Sequence, residues 1–153
     1  MGVNQFTALT EAEFVEQHLA PIPGKPRKLI EPVRNLKRRV EEVDWTTKGS
    51  VSPVRDQGSC SASYAFASVG AIESAASIEY VQQIWYSPQQ IIDCTQGYGN
   101  QGCVTGNIVN SFNYARYWPL MTDFGYPYKG YVQQCQSQKG TFRIMGYEDI
   151  NSC

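Results

Sequence analysis

Apolar residues recur at Ala65, Val69, Ile72 and Ala76, and Phe66 and Ala75 widen that stripe. This spacing predicts a helix from Ser63 to about Gln82 that is apolar on most sides and belongs in the middle of a lobe. Ser87-Pro88-Gln89-Gln90 joins an N-cap, a proline at the first helical position and a capping-box glutamine, so a second helix starts there and runs toward Cys94. Ile108, Phe112 and Ala115 share one face of a third helix that ends before Pro119. Thr141 to Met145 alternates as a strand does, and Asp123 to Tyr131 reads as an irregular, tyrosine-rich segment. Gly97, Gly99, Gly102 and Gly106 hold a loop open between the second and third helices.

Upstream, Thr10-Glu11-Ala12-Glu13 is a capping box that opens a short helix through about Leu19, and Pro21-Ile22-Pro23-Gly24 stops it. Residues 20–39 then read as an extended linker, and Val43-Asp44-Trp45 begins the globular part. Lys25, Arg27, Lys28, Arg34, Lys37, Arg38 and Arg39 crowd this linker. A nucleic-acid surface would need a structured basic face with aromatics, whereas prolines 21, 23, 26 and 32 punctuate this one. The stretch therefore reads as a solvated linker open to proteolytic nicking, and no nucleic-acid partner is expected.

Length and composition fit one globular unit: 153 residues, 42% hydrophobic, 12% aromatic, net charge −1. No uninterrupted apolar run of about eighteen residues occurs, so no membrane span is expected. Met1 is followed directly by Gly2-Val3-Asn4-Gln5-Phe6, with no basic-then-apolar leader. Cys60, Cys94, Cys103 and Cys135 nevertheless lie in glycine- and tyrosine-rich loops at separations suited to disulfides, a usage of oxidising compartments. A missing N-terminus would reconcile the two. A zinc site is a poor reading of these cysteines, since they show no Cys-x-x-Cys spacing and no neighbouring histidine. No metal or other cofactor is expected.

The candidate chemistry lies in Asp56-Gln57-Gly58-Ser59-Cys60-Ser61-Ala62-Ser63-Tyr64. Cys60 to Tyr64 follows the local active-site signature of papain-like proteases, with Ser63 at the nucleophile position. Further motifs accompany it in order: Leu9-Thr10-x-x-Glu13-Phe14, then Val43-Asp44-Trp45 leading to Val54-Arg55-Asp56-Gln57-Gly58. Ile91-Ile92-Asp93-Cys94, Gly102-Cys103-x-x-Gly106 and Tyr126-Pro127-Tyr128 follow. Together these resemble the papain-like, cathepsin-like cysteine peptidases from end to end. The resemblance assigns residues 1–19 to the end of an inhibitory propeptide, 20–39 to the linker, and 40–153 to the N-terminal part of the peptidase domain. Ala8 stands where the propeptide motif usually has aspartate. The implied fold is α+β, mostly the helical left lobe with an incomplete β-rich right lobe.

Carried over residue by residue, the resemblance makes Gln57 the side-chain donor of an oxyanion hole, with the backbone N–H of Ser63 as the second donor. Ser61, Ala62 and Tyr64, with Thr105, Gly106, Asn107 and Ile108, would line the peptide-binding cleft. Ser61 replaces a glycine of the family pattern, Tyr64 a tryptophan, and Thr105 a glycine. The family pattern pairs Cys60 with Cys103 and Cys94 with Cys135, leaving Cys153 over. Lysosomal, vacuolar or extracellular placement is what the family implies.

The serine changes the chemistry. A hydroxyl needs an adjacent base to become a nucleophile, whereas a thiol is partly ionised at neutral pH. A helix N-terminus contributes only about 0.3–1 kcal/mol, against about 1.4 kcal/mol for a single pKa unit. The only histidine, His18, precedes Ser63 in the chain. Ser61 and Tyr64 also depart from the common pattern, which favours a natural replacement over an engineered one. Ser63-Tyr64 is locally similar to the silicateins.

Three functions follow as expectations. The first is a non-catalytic homologue acting as a structural or binding component, with another polypeptide covering its inter-lobe face and an extended peptide as a ligand of the residual cleft. The second is a fragment of a hydrolase or silicatein-like protein whose C-terminal half supplies histidine and asparagine. The third is a propeptide-like protease inhibitor acting through residues 2–19.

Overall fold

The computed structural model describes residues 8–18, 43–136 and 140–148. The proline-punctuated linker over 20–39, the propeptide-like residues before Ala8 and the leftover Cys153 lie outside the described residues. Four α-helices appear in the described part: α1 (Glu11–His18), α2 (Ser63–Tyr80), α3 (Pro88–Cys94) and α4 (Ile108–Tyr117), with a 3-10 turn at Gln96–Tyr98 after α3.

The capping box at α1 forms in both directions. The Thr10 backbone N–H donates to Glu13 Oε2 at 2.8 Å, and the Glu13 N–H donates to Thr10 Oγ1 at 3.3 Å. The Thr10 hydroxyl, which donates to Glu13 Oε2 at 2.7 Å, and after it the Thr10 N–H hold the exposed Glu13 carboxyl below its ordinary range. At α3, Ser87 Oγ accepts the Gln90 N–H at 3.0 Å with Pro88 at the first position. The Gln90 side chain reaches deeper than a cap, donating to Tyr114 Oη at 3.0 Å and accepting the Met121 N–H at 2.7 Å.

Helix α2 packs against both α3 and α4. Ala65, Val69, Ile72, Ile91, Ile92, Ala115 and Leu120 form the centre of the resulting core. The predicted helix differs in two respects. Ala75 is exposed, so α2 buries a face rather than most of its circumference. It also stops at Tyr80, because Val81 turns into the left-handed region at φ 55° and donates its N–H to Ser77 O at 3.0 Å.

The strand expected over Thr141–Met145 does not form. Among the described residues β pairing is confined to two isolated antiparallel bridges, Tyr86 with Thr122 and Leu120 with Phe142. Phe142 stacks on Tyr86 at 5.2 Å between ring centroids, and Ile144 donates its N–H to Ala115 O at 3.2 Å. The segment thus closes the core with one bridge and side-chain packing, since no neighbouring strand continues the ladder. Gly140 permits the approach: a β-carbon there would fall 2.1 Å from the Pro119 carbonyl oxygen.

Two disulfides lock the loops to the helices. Cys60 is bonded to Cys103 and Cys94 to Cys135, the pairing that the resemblance implies.

Candidate active site

The turn into α2 is built from backbone constraints. Ser61 donates its N–H to Cys103 O at 3.1 Å beside the Cys60–Cys103 bond, and Ala62 donates to Cys60 O at 2.7 Å. Ala62 is the N-cap and is fully buried, which leaves Ser63 as the first helical residue, exposed to solvent. The helix has no side-chain cap at this end. Its first N–H groups and the positive end of its dipole are therefore directed at the surface around Ser63.

Gln57 is placed beside Ser63 by a separate set of contacts. Asp56 Oδ1 accepts the Gly58 N–H at 2.8 Å, which folds residues 56–58 into a tight turn. Tyr128 Oη donates to the Gln57 carbonyl at 2.5 Å, and the Tyr128 ring meets Phe66 edge-on at 4.9 Å. Gln57 and Ser63 then line one open concavity of about 490 Å³ together with Val54, Arg55, Asp56 and Phe66. Burial, and the charge of Asp56 after it, push the Tyr128 phenol above its ordinary value, so Tyr128 stays a neutral donor to Gln57.

Arg55 anchors the base of this region. Its Nη2 lies 3.0 Å from both carboxylate oxygens of Glu73, whose side chain is wholly buried on α2. Glu73 also accepts Ser52 Oγ at 2.6 Å and the Tyr86 N–H at 2.7 Å. A carboxylate placed in a helical core is expensive unless every lone pair is used, and here four donor contacts use them.

The glycine loop approaches from the other side. Tyr64 is 4% exposed and donates its hydroxyl to Gly102 O at 2.8 Å. Gly106 lies against its ring. Asn100, buried at 2%, organises the rest: its Nδ2 donates to Thr95 Oγ1 and Ser111 Oγ, while its Oδ1 accepts the Asn107 N–H at 2.7 Å. Thr105 O accepts the Gln101 N–H at 2.8 Å. Asn107 caps α4 by accepting the Val109 N–H at 2.8 Å, and Ile108 stands 40% exposed next to it.

The residues singled out from the sequence therefore divide. Gln57 and Ser63 share a concavity, and Ser61 is partly exposed at its edge of the turn. Thr105, Gly106, Asn107 and Ile108 form a connected loop on the Cys103 side. Ala62 and Tyr64 were expected to line the cleft, but both are buried. They support the turn from beneath, because the Cys60–Cys103 bond and the Gly102 carbonyl draw them inward. Two residues escaped the sequence reading, Asn100 and Glu73, and Tyr128 entered it only as part of the Tyr126-Pro127-Tyr128 motif, without a role at the site. For Glu73 a signal existed, a lone carboxylate one residue after Ile72 on the apolar stripe. Asn100 sat unremarked among the loop glycines.

Among the described residues no group of three histidine, cysteine, aspartate or glutamate side chains could hold a metal ion. Nor is any described helix long and apolar enough to cross a membrane.

The family model "Papain family cysteine protease" matches residues 40–152. The chain is 32% identical over 157 residues to a cathepsin L-like proteinase of Phaedon cochleariae, covering 99% of this chain and 48% of that protein. A cathepsin L-like proteinase of Fasciola hepatica is similar to the same degree, 32% over 157 residues, with 99% and 48% covered. The digestive procathepsin L 3 of Tenebrio molitor larval midgut superposes with a TM-score of 0.76 at 30% identity, covering 95% of this chain and 47% of that one. The chain spans about half the length of these relatives. Its matched residues, its fold and the motifs around Ser63 place it together with them, and it belongs to the papain family of cysteine proteases.

Proposed function

We propose that this chain is a papain-family homologue without peptidase activity, acting as a structural or peptide-binding component. The observation that carries this reading is Ser63. It is exposed at the head of α2 beside Gln57, so the stabilising half of an acyl-transfer site persists while the attacking group is an alcohol. Donors aimed at a developing oxyanion accelerate nothing until something attacks the carbonyl. Among the described residues that line the concavity none is a histidine. An alcohol without a base stays protonated.

A peptide-binding role is supported by the uncapped start of α2, by Gln57 beside it in an open concavity, and by the Thr105–Ile108 loop. Val54, which lines the concavity with Phe66, is fully exposed. A polypeptide covering these residues would remove apolar surface from water, which favours a binding role. The two disulfides support an oxidising compartment, in keeping with a lysosomal, vacuolar or extracellular location.

The test is thiol-dependent turnover of a dipeptidyl fluorogenic substrate. The chain as it stands and its Ser63→Cys variant are both expected to show none above a denatured control. Cleavage by the chain as it stands would contradict the reading.

A second reading rests on coverage, since the chain spans about half of its relatives. In it, further polypeptide supplies histidine and asparagine to a serine-for-cysteine hydrolase or silicatein-like protein. Turnover by a longer gene product carrying those residues, lost in Ser63→Ala, would select it.

A further inference from the structure

A second concavity, of about 480 Å³, shares no residue with the one at Ser63. Gln83, Ile84 and Trp85 line it from one segment, and Thr122, Asp123 and Phe124 from another. The backbone fixes these two walls relative to each other. Tyr86 and Thr122 form an antiparallel bridge, Asp123 donates its N–H to Trp85 O at 2.8 Å, and Ser87 donates to Met121 O at 3.0 Å. The notch is therefore held open by main-chain bonds rather than by the rotamers of its lining.

Its chemistry is unusual for a protein surface. Trp85 is 48% exposed and Phe124 is 98% exposed, so two large aromatic side chains stand in water beside each other's segments. Asp123 lines the same notch and is partly exposed, while its Oδ1 is closed from solvent and receives no hydrogen bond. Burial raises the Asp123 carboxyl above its ordinary value, and the charge of Arg55 opposes that rise. Arg55, however, is already committed to both oxygens of Glu73 at 3.0 Å. Two carboxylates thus draw on one guanidinium, and of the two it is Asp123 that lines the notch.

A carboxylate that shares a notch with two exposed aromatic side chains is complementary to an organic cation. The ring quadrupoles attract positive charge, the aromatic edges accept an alkyl stem, and the carboxylate supplies a charge-assisted acceptor. A hydrated divalent ion would need several oxygen ligands, and no group of three metal-binding side chains occurs among the described residues. We propose that the notch between Trp85 and Phe124 binds the cationic head of an arginine or lysine side chain presented by another polypeptide, with Asp123 as its counter-ion.

The probes are Nα-acetyl-arginine amide, Nα-acetyl-lysine amide and the neutral citrulline counterpart of the first, added to the full chain at neutral pH. Binding is read by tryptophan fluorescence and by the amide resonances of residues 84–85 and 122–124. A saturable response to the arginine or lysine probe is expected, with the citrulline probe about tenfold weaker, the margin of one charge-assisted contact. The isosteric Asp123→Asn variant is expected to lose a similar factor, and Trp85→Phe to lose the fluorescence change. Equal binding of the citrulline probe to the unaltered protein would overturn the proposal without any variant having to fold. Undiminished binding by Asp123→Asn, or no resonance shift at the notch, would overturn it as well. Ser63 is untouched throughout, so the result is independent of whether the chain is catalytic.

Discussion

Gly106 lies so close to Tyr64 that a β-carbon added to it would fall 2.6 Å from three carbons of the Tyr64 ring. The ring cannot swing away, because Tyr64 is buried and its hydroxyl donates to Gly102 O. The residue behind the nucleophile position and the loop opposite it are thus one packed unit. Gly106→Ala is expected to lower stability by about 1–3 kcal/mol, as overpacking does. In a Tyr64→Leu background the same substitution should cost clearly less, since the ring that resists it is gone. Urea unfolding of the four proteins measures the coupling; strictly additive effects would separate the two residues.

Val81 offers a gain. It is a β-branched residue held at φ 55° and 92% exposed, so its side chain contributes little packing in return for its conformation. Val81→Gly is expected to raise stability by about 1 kcal/mol, visible as a higher denaturation midpoint with an unchanged slope.

Removing Glu73 should be costly. Glu73→Ala strands Arg55 and leaves Ser52 and the Tyr86 N–H without their acceptor. A loss of about 3–5 kcal/mol is expected, typical of breaking one side of a buried pair. Glu73→Gln, which keeps an acceptor, should fall between that and the unaltered protein. If Glu73→Ala unfolds with an unchanged midpoint, the network is dispensable.

The disulfides should carry a large share of stability. They join residues separated by 43 and 41 positions, so each closes a long loop and contributes about 2–4 kcal/mol. Reduction is expected to loosen the helical lobe, and non-reducing peptide mapping should find Cys60 with Cys103 and Cys94 with Cys135.

The contribution of Asp93 and Asp123 to stability should fall as pH rises through the acidic range. Burial raises the carboxyls of Asp93 and Asp123 above their ordinary 3.8, although Gln133, Tyr126 and Gln89 donate to Asp93 and oppose its shift. A carboxyl with a raised folded-state pKa binds more protons folded than unfolded, so its contribution is full below the unfolded value and is lost as pH climbs to the folded one. Asp123→Asn should flatten that decline. Thermal midpoints measured from about pH 3 to pH 7 for both proteins test this.

How far the sequence reached can be seen at particular residues. The capping box at Thr10, the N-cap at Ser87, the stripe along α2 and the stop before Pro119 were legible because each depends on neighbours within a turn or two of helix, whereas the Gln90 side chain, read as the other half of a capping box, turns to Tyr114 and Met121. The family motifs fixed where Ser63 and Gln57 stand and which residue types surround them. Tertiary structure alone decided what faces in. Tyr64 and Ala62 sit in the most recognisable motif of the chain, yet both are buried, because Gly102 and Cys103, some forty positions later, pull them under the loop. Thr141 to Met145 alternates like a strand but finds a single bridge, since a strand exists only where a partner ladder extends it. Asp123 reads as an ordinary loop carboxylate. Only folding removes its Oδ1 from water, and it does so while Arg55 is claimed by Glu73. Local patterns are written in neighbours along the chain, whereas burial and charge balance depend on contacts between distant segments, which no stretch of sequence contains by itself.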